Sequence, residues 1–253
     1  MITEVFSQGD SPVHRFDPRA KLLLVACLSV VVALAERFET VFAAAALPLG
    51  ALALARLPLR PVVCRVAVVN VFILALWLFV PFSVPGRAVF QLGPLEATAE
   101  GLRFASLVTL RSNVILLATI AFLGTSNVFA LTHALSHFRV PDKLVYLFYF
   151  CYRYIHVIHD EYLRLRGALK ARAFRPHTNV HTYKTYGYLV GMLLARSHLR
   201  AKRIYWAMLC RGFRNQFIPI EHFRMRRADL AAAALMLLYV AAVACMEWGG
   251  WMG

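Results

Sequence analysis

Five apolar runs divide the chain into alternating hydrophobic and polar stretches. They cover residues 22–35, 41–55, 66–84, 102–124 and 230–246. A helix needs about 20 mostly apolar residues to cross the hydrocarbon core of a bilayer, and the third and fourth runs reach about that length. The pattern predicts a bundle of about five membrane-spanning helices.

The first two runs are short for a full span. Neither contains a charged residue, and Lys21, Arg37 and Arg56 flank them with side chains that can reach the headgroup region. We therefore expect two helices here, and the sequence leaves open whether they cross the bilayer fully or form a shallow hairpin. Residues 85–100 hold two Gly and two Pro, which predicts a loop.

The fourth run contains a charged residue, Arg111. A charge inside a span is costly and usually faces protein, water or a partner. We expect Arg111 to pack inside the bundle with Asn70 or Asn113. A direct role in the passage of a metal ion is the less favoured interpretation.

The overall composition supports a membrane protein and excludes several other classes. Apolar residues make up 60% of the chain, charged residues make up 16%, and the mean hydropathy is +0.61. A soluble domain is about 25% charged, so this chain would have too little polar surface to cover itself in water. The five cysteines are widely spaced and form no Cys-x-x-Cys pair, which argues against a disulfide framework or a zinc site.

The remaining charge is strongly positive and lies mainly in one block. The chain has 28 Lys and Arg against 13 Asp and Glu, and residues 125–227 hold 18 of the basic and four of the acidic residues. Loops rich in Lys and Arg stay on the cytoplasmic side of a membrane, so the amino terminus and this block are both predicted to be cytoplasmic. Because the block is tied to the bilayer at both ends, we expect its charge to meet anionic lipid or an acidic protein, and not nucleic acid.

Helical periodicity runs through most of the basic block. Apolar residues recur every three or four positions over 127–138, 142–174 and 183–210, and basic residues occupy the opposite faces of the two longer stretches. Pro141 and Pro176 mark the breaks between these stretches. The predicted fold class is an all-α integral membrane protein with about five transmembrane helices and a cytoplasmic domain of long amphipathic helices inserted before the last span.

The two long amphipathic helices end in near-identical triplets. Each triplet places an Arg between small residues and precedes a Phe: Ala171-Arg172-Ala173 before Phe174, and Cys210-Arg211-Gly212 before Phe213. A cation at a helix carboxyl end interacts favourably with the helix dipole, which is the simplest explanation for one triplet. Two matching triplets favour docking, in which each planar guanidinium enters a partner's groove and binds carboxylates or backbone carbonyls.

The histidines offer an alternative function, a membrane-embedded metalloenzyme. Eight of the nine lie in the basic block, and three pairs are spaced by three or four residues: His133 with His137, His156 with His159, and His177 with His181. Spacing by four residues can hold zinc. No carboxylate accompanies these pairs as in a His-Glu-x-x-His motif, so structural or interfacial histidines are favoured. A self-contained secondary transporter is a third interpretation, and the lack of an internal repeat weighs against it.

Five short motifs are spread over nearly the whole chain. They are HRFDPRAKL at 14–22, VP at 140–141, YRYI at 152–155, the basic run at 196–203 and AMLCRGF at 207–213. Together they resemble the transmembrane (T) component of energy-coupling factor (ECF) transporters, and specifically the cobalt/nickel type known as the CbiQ family. The family's triplet is commonly Ala-Arg-Gly, and the central Arg is kept in both triplets here.

The resemblance implies a subunit that is not an enzyme and has no cofactor or metal site of its own. Two ATP-binding cassette ATPase subunits would dock on the coupling helices, one on each Arg motif, through Ala171, Arg172, Ala173, Cys210, Arg211 and Gly212. Closing of the ATPase pair would move these helices and tilt a substrate-binding membrane (S) subunit that releases cobalt or nickel inside. The chain itself lacks the GxxxxGK[ST] loop that cradles phosphates, so ATP would bind to a partner.

The apolar runs, the charge pattern and the resemblance together predict four regions of the chain and its location in the cell. Residues 1–21 form a cytoplasmic amino-terminal segment, and 22–124 form a four-helix transmembrane part. Residues 125–227 form the cytoplasmic coupling-helix domain, and 228–253 form the last span with a short outer tail. The resemblance implies a multi-pass protein of the bacterial plasma (inner) membrane.

Overall fold

The computed structural model describes residues 6, 9, 11–85, 87–92, 95–138, 140–213 and 227–249, and these are mostly helical. The helices are α1 (Pro12–Arg15), α2 (Pro18–Leu34), α3 (Phe38–Ala55), α4 (Leu59–Ser83), α5 (Ala99–Ala118), α6 (Val128–His137), α7 (Asp142–Ala171), α8 (Val180–Cys210) and α9 (Arg227–Gly249). A π-helical turn, Thr119–Leu123, continues α5. The predicted all-α fold class is confirmed.

The segment between α4 and α5 differs from the sequence prediction. Instead of a loop over 85–100, the structure has an antiparallel hairpin of β1 (Ala88–Leu92) and β2 (Leu95–Thr98). Leu92 pairs with Leu95, so in the sequence only Gly93 and Pro94 separate the two strands. The loop prediction was wrong. Gly93 and Pro94 mark only the tip of a hairpin, and their presence was read as a sign that the whole segment lacks regular structure.

Among the described residues, four helical stretches are long and apolar enough to cross a membrane. They are α3, α4, the continuous stretch Ala99–Leu123, and residues Asp229–Gly249 of α9. Helix α2 has 17 residues, which corresponds to a length of about 25 Å. The first two apolar runs thus form two separate helices, joined by residues 35–37. That α2 crosses the bilayer completely stays a prediction.

The described residues fall into two compact units. The first contains α1 to α6, the hairpin and α9, and the second contains α7 and α8. Helix α6 therefore packs with the spans, although the predicted coupling domain begins at residue 125. The two units reflect only how the helices pack. The four predicted regions were defined by the side of the membrane on which they lie, so they stay predictions.

Helix α2 lies at the centre of the first unit. Its Leu24, Leu28 and Val32 are at most 1% exposed and belong to a core shared with α3, α5 and α9. By contrast, α4 exposes large apolar side chains such as Phe72 and Leu74. Buried helix contacts beside exposed apolar side chains are typical of a bundle whose outer surface faces lipid.

Contacts within the first unit define two ends of the bundle. At one end, Lys21 at the start of α2 meets Thr125 and Ser126, which lie between α5 and α6. At the other end, the carboxylate of Glu247 in α9 accepts a 2.7 Å hydrogen bond from the backbone N–H of Glu36, which lies between α2 and α3. Helices α2 and α9 thus run in one direction, and α5 runs in the opposite direction.

Candidate functional site

The predicted docking triplet at the end of α7 has a defined backbone geometry. Arg172 caps the helix, and Ala173 has a left-handed backbone with φ of +58°. The N–H of Ala173 donates to the carbonyl of Lys170 at 3.0 Å, and the N–H of Phe174 donates to the carbonyl of Leu169 at 3.1 Å. These two bonds form a Schellman motif, which closes a helix by satisfying its last carbonyl groups.

The triplet at the end of α8 adopts the same geometry. Arg211 caps the helix, and Gly212 has a left-handed backbone with φ of +79°. The N–H of Gly212 donates to the carbonyl of Leu209 at 2.9 Å, and the N–H of Phe213 donates to the carbonyl of Met208 at 3.1 Å. The match between the two triplets in sequence is therefore also a match in backbone structure.

Both capping arginines are exposed, and so are the small residues on either side of them. The exposed set is Ala171, Arg172, Ala173, Cys210, Arg211 and Gly212. Within the part of the chain that the structure describes, neither guanidinium takes part in an ion pair. The half-buried ring of Phe174 packs beside His181 and Tyr186 of α8, with centroid distances of 6.2 and 6.1 Å. The end of α7 is thus fixed, while the Arg172 side chain is accessible to a partner.

The third position of each triplet predicts a difference in local stability. Ala173 holds a Cβ in a left-handed conformation, which costs an L-residue about 1 kcal/mol, whereas Gly212 avoids this cost. We expect Ala173→Gly to slow amide exchange at Phe174 about fivefold, and Gly212→Ala to speed exchange at Phe213 by a similar factor. Apart from its chain neighbours, no described residue has an atom within 4 Å of the position of a Cβ on Gly212, so the backbone conformation sets the effect. Equal exchange rates in variant and parent would refute this explanation of the triplets.

A buried carboxylate connects α7 to α8. Glu161 of α7 is only 8% exposed and accepts a hydrogen bond from the Arg196 guanidinium of α8. Its second oxygen lies 3.5 Å from Arg164 Nη1 and 3.7 Å from Arg200 Nη2. The hydrogen bond from Arg196, together with the three positive charges, outweighs the effect of burial and lowers the pKa of Glu161 from its ordinary value of 4.5. In the sequence, Glu161 carries no signal that distinguishes it from its neighbour Asp160.

The lowered pKa of Glu161 predicts how the contact between α7 and α8 depends on pH. A carboxyl that ionises more easily in the folded protein stabilises the fold above its unfolded pKa of 4.5, and this contribution is lost as the pH falls through the folded pKa. Glu161→Gln should weaken the contact at neutral pH, because a neutral amide leaves three guanidinium groups without a counter-charge. The distance distribution between spin labels on α7 and α8 should broaden in Glu161→Gln and, in the parent, only below about pH 4.5. The exposed neighbour variant Asp160→Asn is the matched control, and a broadening of equal size there would contradict the role of Glu161.

Large apolar side chains remain exposed along both long helices. On α7 they are Leu144, Leu147, Phe148, Ile155, Ile158 and Leu163, and on α8 they include Tyr188, Val190, Leu194, Leu199, Tyr205 and Trp206. Exposed apolar surface of this extent marks a site of protein or membrane contact. The predicted amphipathic helices are confirmed, and the residues that the structure describes cover their apolar faces only in part.

The motif at 14–22 builds a buried polar contact at the end of the bundle. The buried carboxylate of Asp17 caps α2 by accepting a 2.9 Å hydrogen bond from the N–H of Arg19. The ammonium group of Lys21, fully buried, donates to Ser126 Oγ at 2.8 Å and to Thr125 Oγ1 at 3.3 Å. The expectation that Lys21 extends to the lipid headgroups was therefore wrong, because hydroxyl groups about 100 residues later in the chain accept hydrogen bonds from its ammonium group inside the bundle.

Comparison with known proteins places these features in a family. The profile of the CbiQ family, described as a cobalt transport protein, matches residues 9–219, which include both triplets and the motif at 14–22. The chain belongs to the CbiQ family. The resemblance that the sequence motifs indicated is confirmed, and the chain is a transport component and not an enzyme.

Two of three relatives of this CbiQ-family chain carry the same name. A protein of Thermosediminibacter oceani, named energy-coupling factor transporter transmembrane protein EcfT, is 28% identical over 88% of this chain and 89% of its own length. A Heliobacterium modesticaldum protein of the same name is 32% identical over 54% of this chain and 51% of its own length. An uncharacterised protein of Methanocaldococcus jannaschii is 23% identical over 97% of this chain and 86% of its own length.

The described histidine pairs of this CbiQ-family chain do not come together to form a metal site. Among the residues with described positions, no group of three or more His, Cys, Asp or Glu is arranged to hold a metal ion. The rings of His133 and His137 lie edge to face with centroids 5.8 Å apart, and His181 packs against Phe174 instead of a second histidine. Nothing in this arrangement favours the metalloenzyme alternative.

Polar residues inside the spans bind each other. Asn70 of α4 and Asn113 of α5 exchange amide hydrogen bonds of 3.0 and 3.2 Å. The buried Nε of Arg111 donates a hydrogen bond to no described residue. The two asparagines thus join α4 to α5. They bind each other, and neither accepts a hydrogen bond from Arg111 Nε.

Proposed function

We propose that this CbiQ-family chain is the coupling component of an ATP-driven importer of cobalt or nickel. It docks two ATPase subunits and transmits their motion to a substrate-binding membrane subunit. The observation that carries the proposal is the pair of matching helix ends that expose Arg172 and Arg211. Two equal backbone geometries present the same side chain in the same way, which suits two copies of one partner.

The next question is which subunit binds ATP and which subunit binds the ion. The chain has no GxxxxGK[ST] motif, so the ATPase partners bind and hydrolyse the nucleotide. The membrane partner binds the ion and therefore determines its identity. Cobalt is the first candidate because the family is described as a cobalt transport protein, and nickel is the second.

The exposed apolar faces of α7 and α8 suit the membrane partner. Leu194, Leu199 and Trp206 are each more than half exposed on α8, so a partner's apolar helices can pack on them without displacing core contacts. A rigid amphipathic helix with a charged tip and an apolar face can convert motion at the tip into motion of the partner. The ion pairs of Glu161 with Arg196 and Arg200 connect α7 to α8, so the two helices can move together.

The proposed location is the bacterial plasma membrane, with the amino terminus and the coupling helices in the cytoplasm. The excess of Lys and Arg in residues 125–227 supports this orientation. The contacts of Lys21 with Thr125 and Ser126 support it too, since they place the start of α2 and the exit from α5 at the same end of the bundle. Anionic lipid is proposed as a further partner of the basic surface.

Co-purification tests the proposed assembly. The affinity-tagged chain is expressed together with candidate ATPase and membrane subunits from the same organism, and native mass spectrometry determines which subunits remain bound in detergent. We expect a complex that contains two ATPase subunits and a second membrane protein. A chain that purifies alone, or with a single ATPase subunit, would contradict one docking site per Arg motif.

A further inference from the structure

We infer that an acidic phospholipid binds at the turn between α3 and α4, with its phosphate against Arg56 and Arg60 and an acyl chain along the adjoining groove. The inference deepens the proposed partnership with anionic lipid by naming its site. It does not depend on the docking of ATPase subunits, so the two proposals can fail separately.

A groove of about 880 Å³ opens beside this turn. Its walls come from the last turn of α3, from the turn itself and from the segment that precedes α2, and they include Ala53, Leu54 and Pro58. Leu54 is 60% exposed, and α3 is one of the stretches able to cross the membrane. The α3 side of the groove is apolar and lies at the end of a span, where it suits an acyl chain because the hydrocarbon core of the bilayer begins there.

One arginine lines this groove, and a second follows four residues later in the chain. Arg56 lines the groove, and Arg60 follows in the first turn of α4, where both side chains are exposed. Among the described residues, neither of them makes an ion pair, whereas the Arg65 guanidinium lies 4.4 Å from the ring centroid of Phe6. No Asp or Glu occurs between residues 40 and 95 of the sequence. The phosphate of an acidic lipid has the charge and the acceptor oxygens to bind these two exposed guanidinium groups.

The backbone of Arg56 gives a further reason to assign it a function. Arg56 caps α3 with φ of +48° and ψ of +41°, a left-handed conformation that favours Gly. A residue with a long side chain is strained in this conformation, and such strain tends to persist where the side chain has a task. Phosphate binding is a task that a guanidinium performs and a glycine does not.

Lipid binding to the purified full-length chain tests the inference. Native mass spectrometry compares retention of phosphatidylglycerol and phosphatidylcholine by the parent and by a variant with Arg56→Gly and Arg60→Gln. The variant should bind phosphatidylglycerol roughly twentyfold more weakly, with no change for phosphatidylcholine. A matched control removes two exposed arginines near the other end of the bundle, Arg87→Gln and Arg103→Gln, and should bind as the parent does.

The choice of Gly at position 56 keeps the test independent of folding. Gly suits the left-handed backbone, so the thermal unfolding midpoint of the variant in phosphatidylcholine should equal or exceed that of the parent. Unchanged phosphatidylglycerol binding in the variant, or an equal loss in the control, would overturn the inference. Displacement of phosphatidylglycerol by inorganic phosphate would also overturn it, since it would indicate a site for free anions.

Discussion

A chain with both Arg172→Glu and Arg211→Glu is expected to insert into the membrane normally and to retain no ATPase subunit. Both side chains are exposed helix caps, so the fold loses only the favourable interaction of a cation with the helix dipole, about 0.3–1 kcal/mol at each end. In the proposed interface each Arg fills a partner groove, where loss of a central Arg costs about 2–4 kcal/mol. A Glu adds repulsion from any carboxylate in that groove and lacks the planar set of donors.

Two single variants and a control variant at a neighbouring arginine test this prediction further. Arg172→Glu alone and Arg211→Glu alone should each reduce the number of bound ATPase subunits from two to one. Arg175→Glu is the matched control, because Arg175 is exposed and lies just beyond the first triplet. Native mass spectrometry of the co-purified complex counts the subunits. Two bound ATPase subunits in the double variant would refute the docking role of the triplets.

Loss of Lys21 is expected to destabilise the membrane bundle more than any other single replacement of a charge. Its ammonium group is fully buried and donates to Thr125 and Ser126, and the buried carboxylate of Asp17 lies one turn earlier in the chain. Lys21→Ala leaves a cavity and takes a cation away from a buried carboxylate, and each of these changes is strongly destabilising. We expect a loss of about 3–5 kcal/mol in the free energy of unfolding.

Two further variants separate packing from charge at this position. Lys21→Met retains most of the side-chain volume, so its loss of stability should be smaller than that of Lys21→Ala by the contribution of the cavity. Arg103→Ala removes an exposed charge from the same bundle and should leave the midpoint of thermal unfolding in detergent nearly unchanged. A midpoint for Lys21→Ala equal to that of the parent would show that the buried contact does not hold the bundle together.

The apolar periodicity of the sequence was sufficient to predict the helices, because each helix is determined by residues that lie close together in the sequence. The stripes over 142–174 and 183–210 correspond closely to α7 (Asp142–Ala171) and α8 (Val180–Cys210). The matching triplets could be found for the same reason. Their common Schellman geometry was less evident, since only the second triplet carries the Gly that a left-handed backbone favours.

Contacts between distant parts of the chain could not be predicted in this way. Lys21 precedes an apolar run, so its sequence suggests a residue at the lipid interface, and its partners lie more than 100 positions later. Glu161 and Asp160 are adjacent carboxylates on one helix, and only the position of α8 decides that Glu161 is buried and meets Arg196 and Arg200. In both cases a second segment, which one-dimensional periodicity does not identify, determines the environment of the charge.

Transport by reconstituted vesicles tests the central claim, that this chain couples motion made by other subunits and does not itself carry the ion. The purified chain is inserted into liposomes either alone or with the ATPase and membrane subunits, and cobalt uptake is measured with ATP on the side of the coupling helices. We expect uptake only from the complete set of subunits, and only with ATP that can be hydrolysed. Cobalt uptake by vesicles that contain this chain and no other protein would contradict the account.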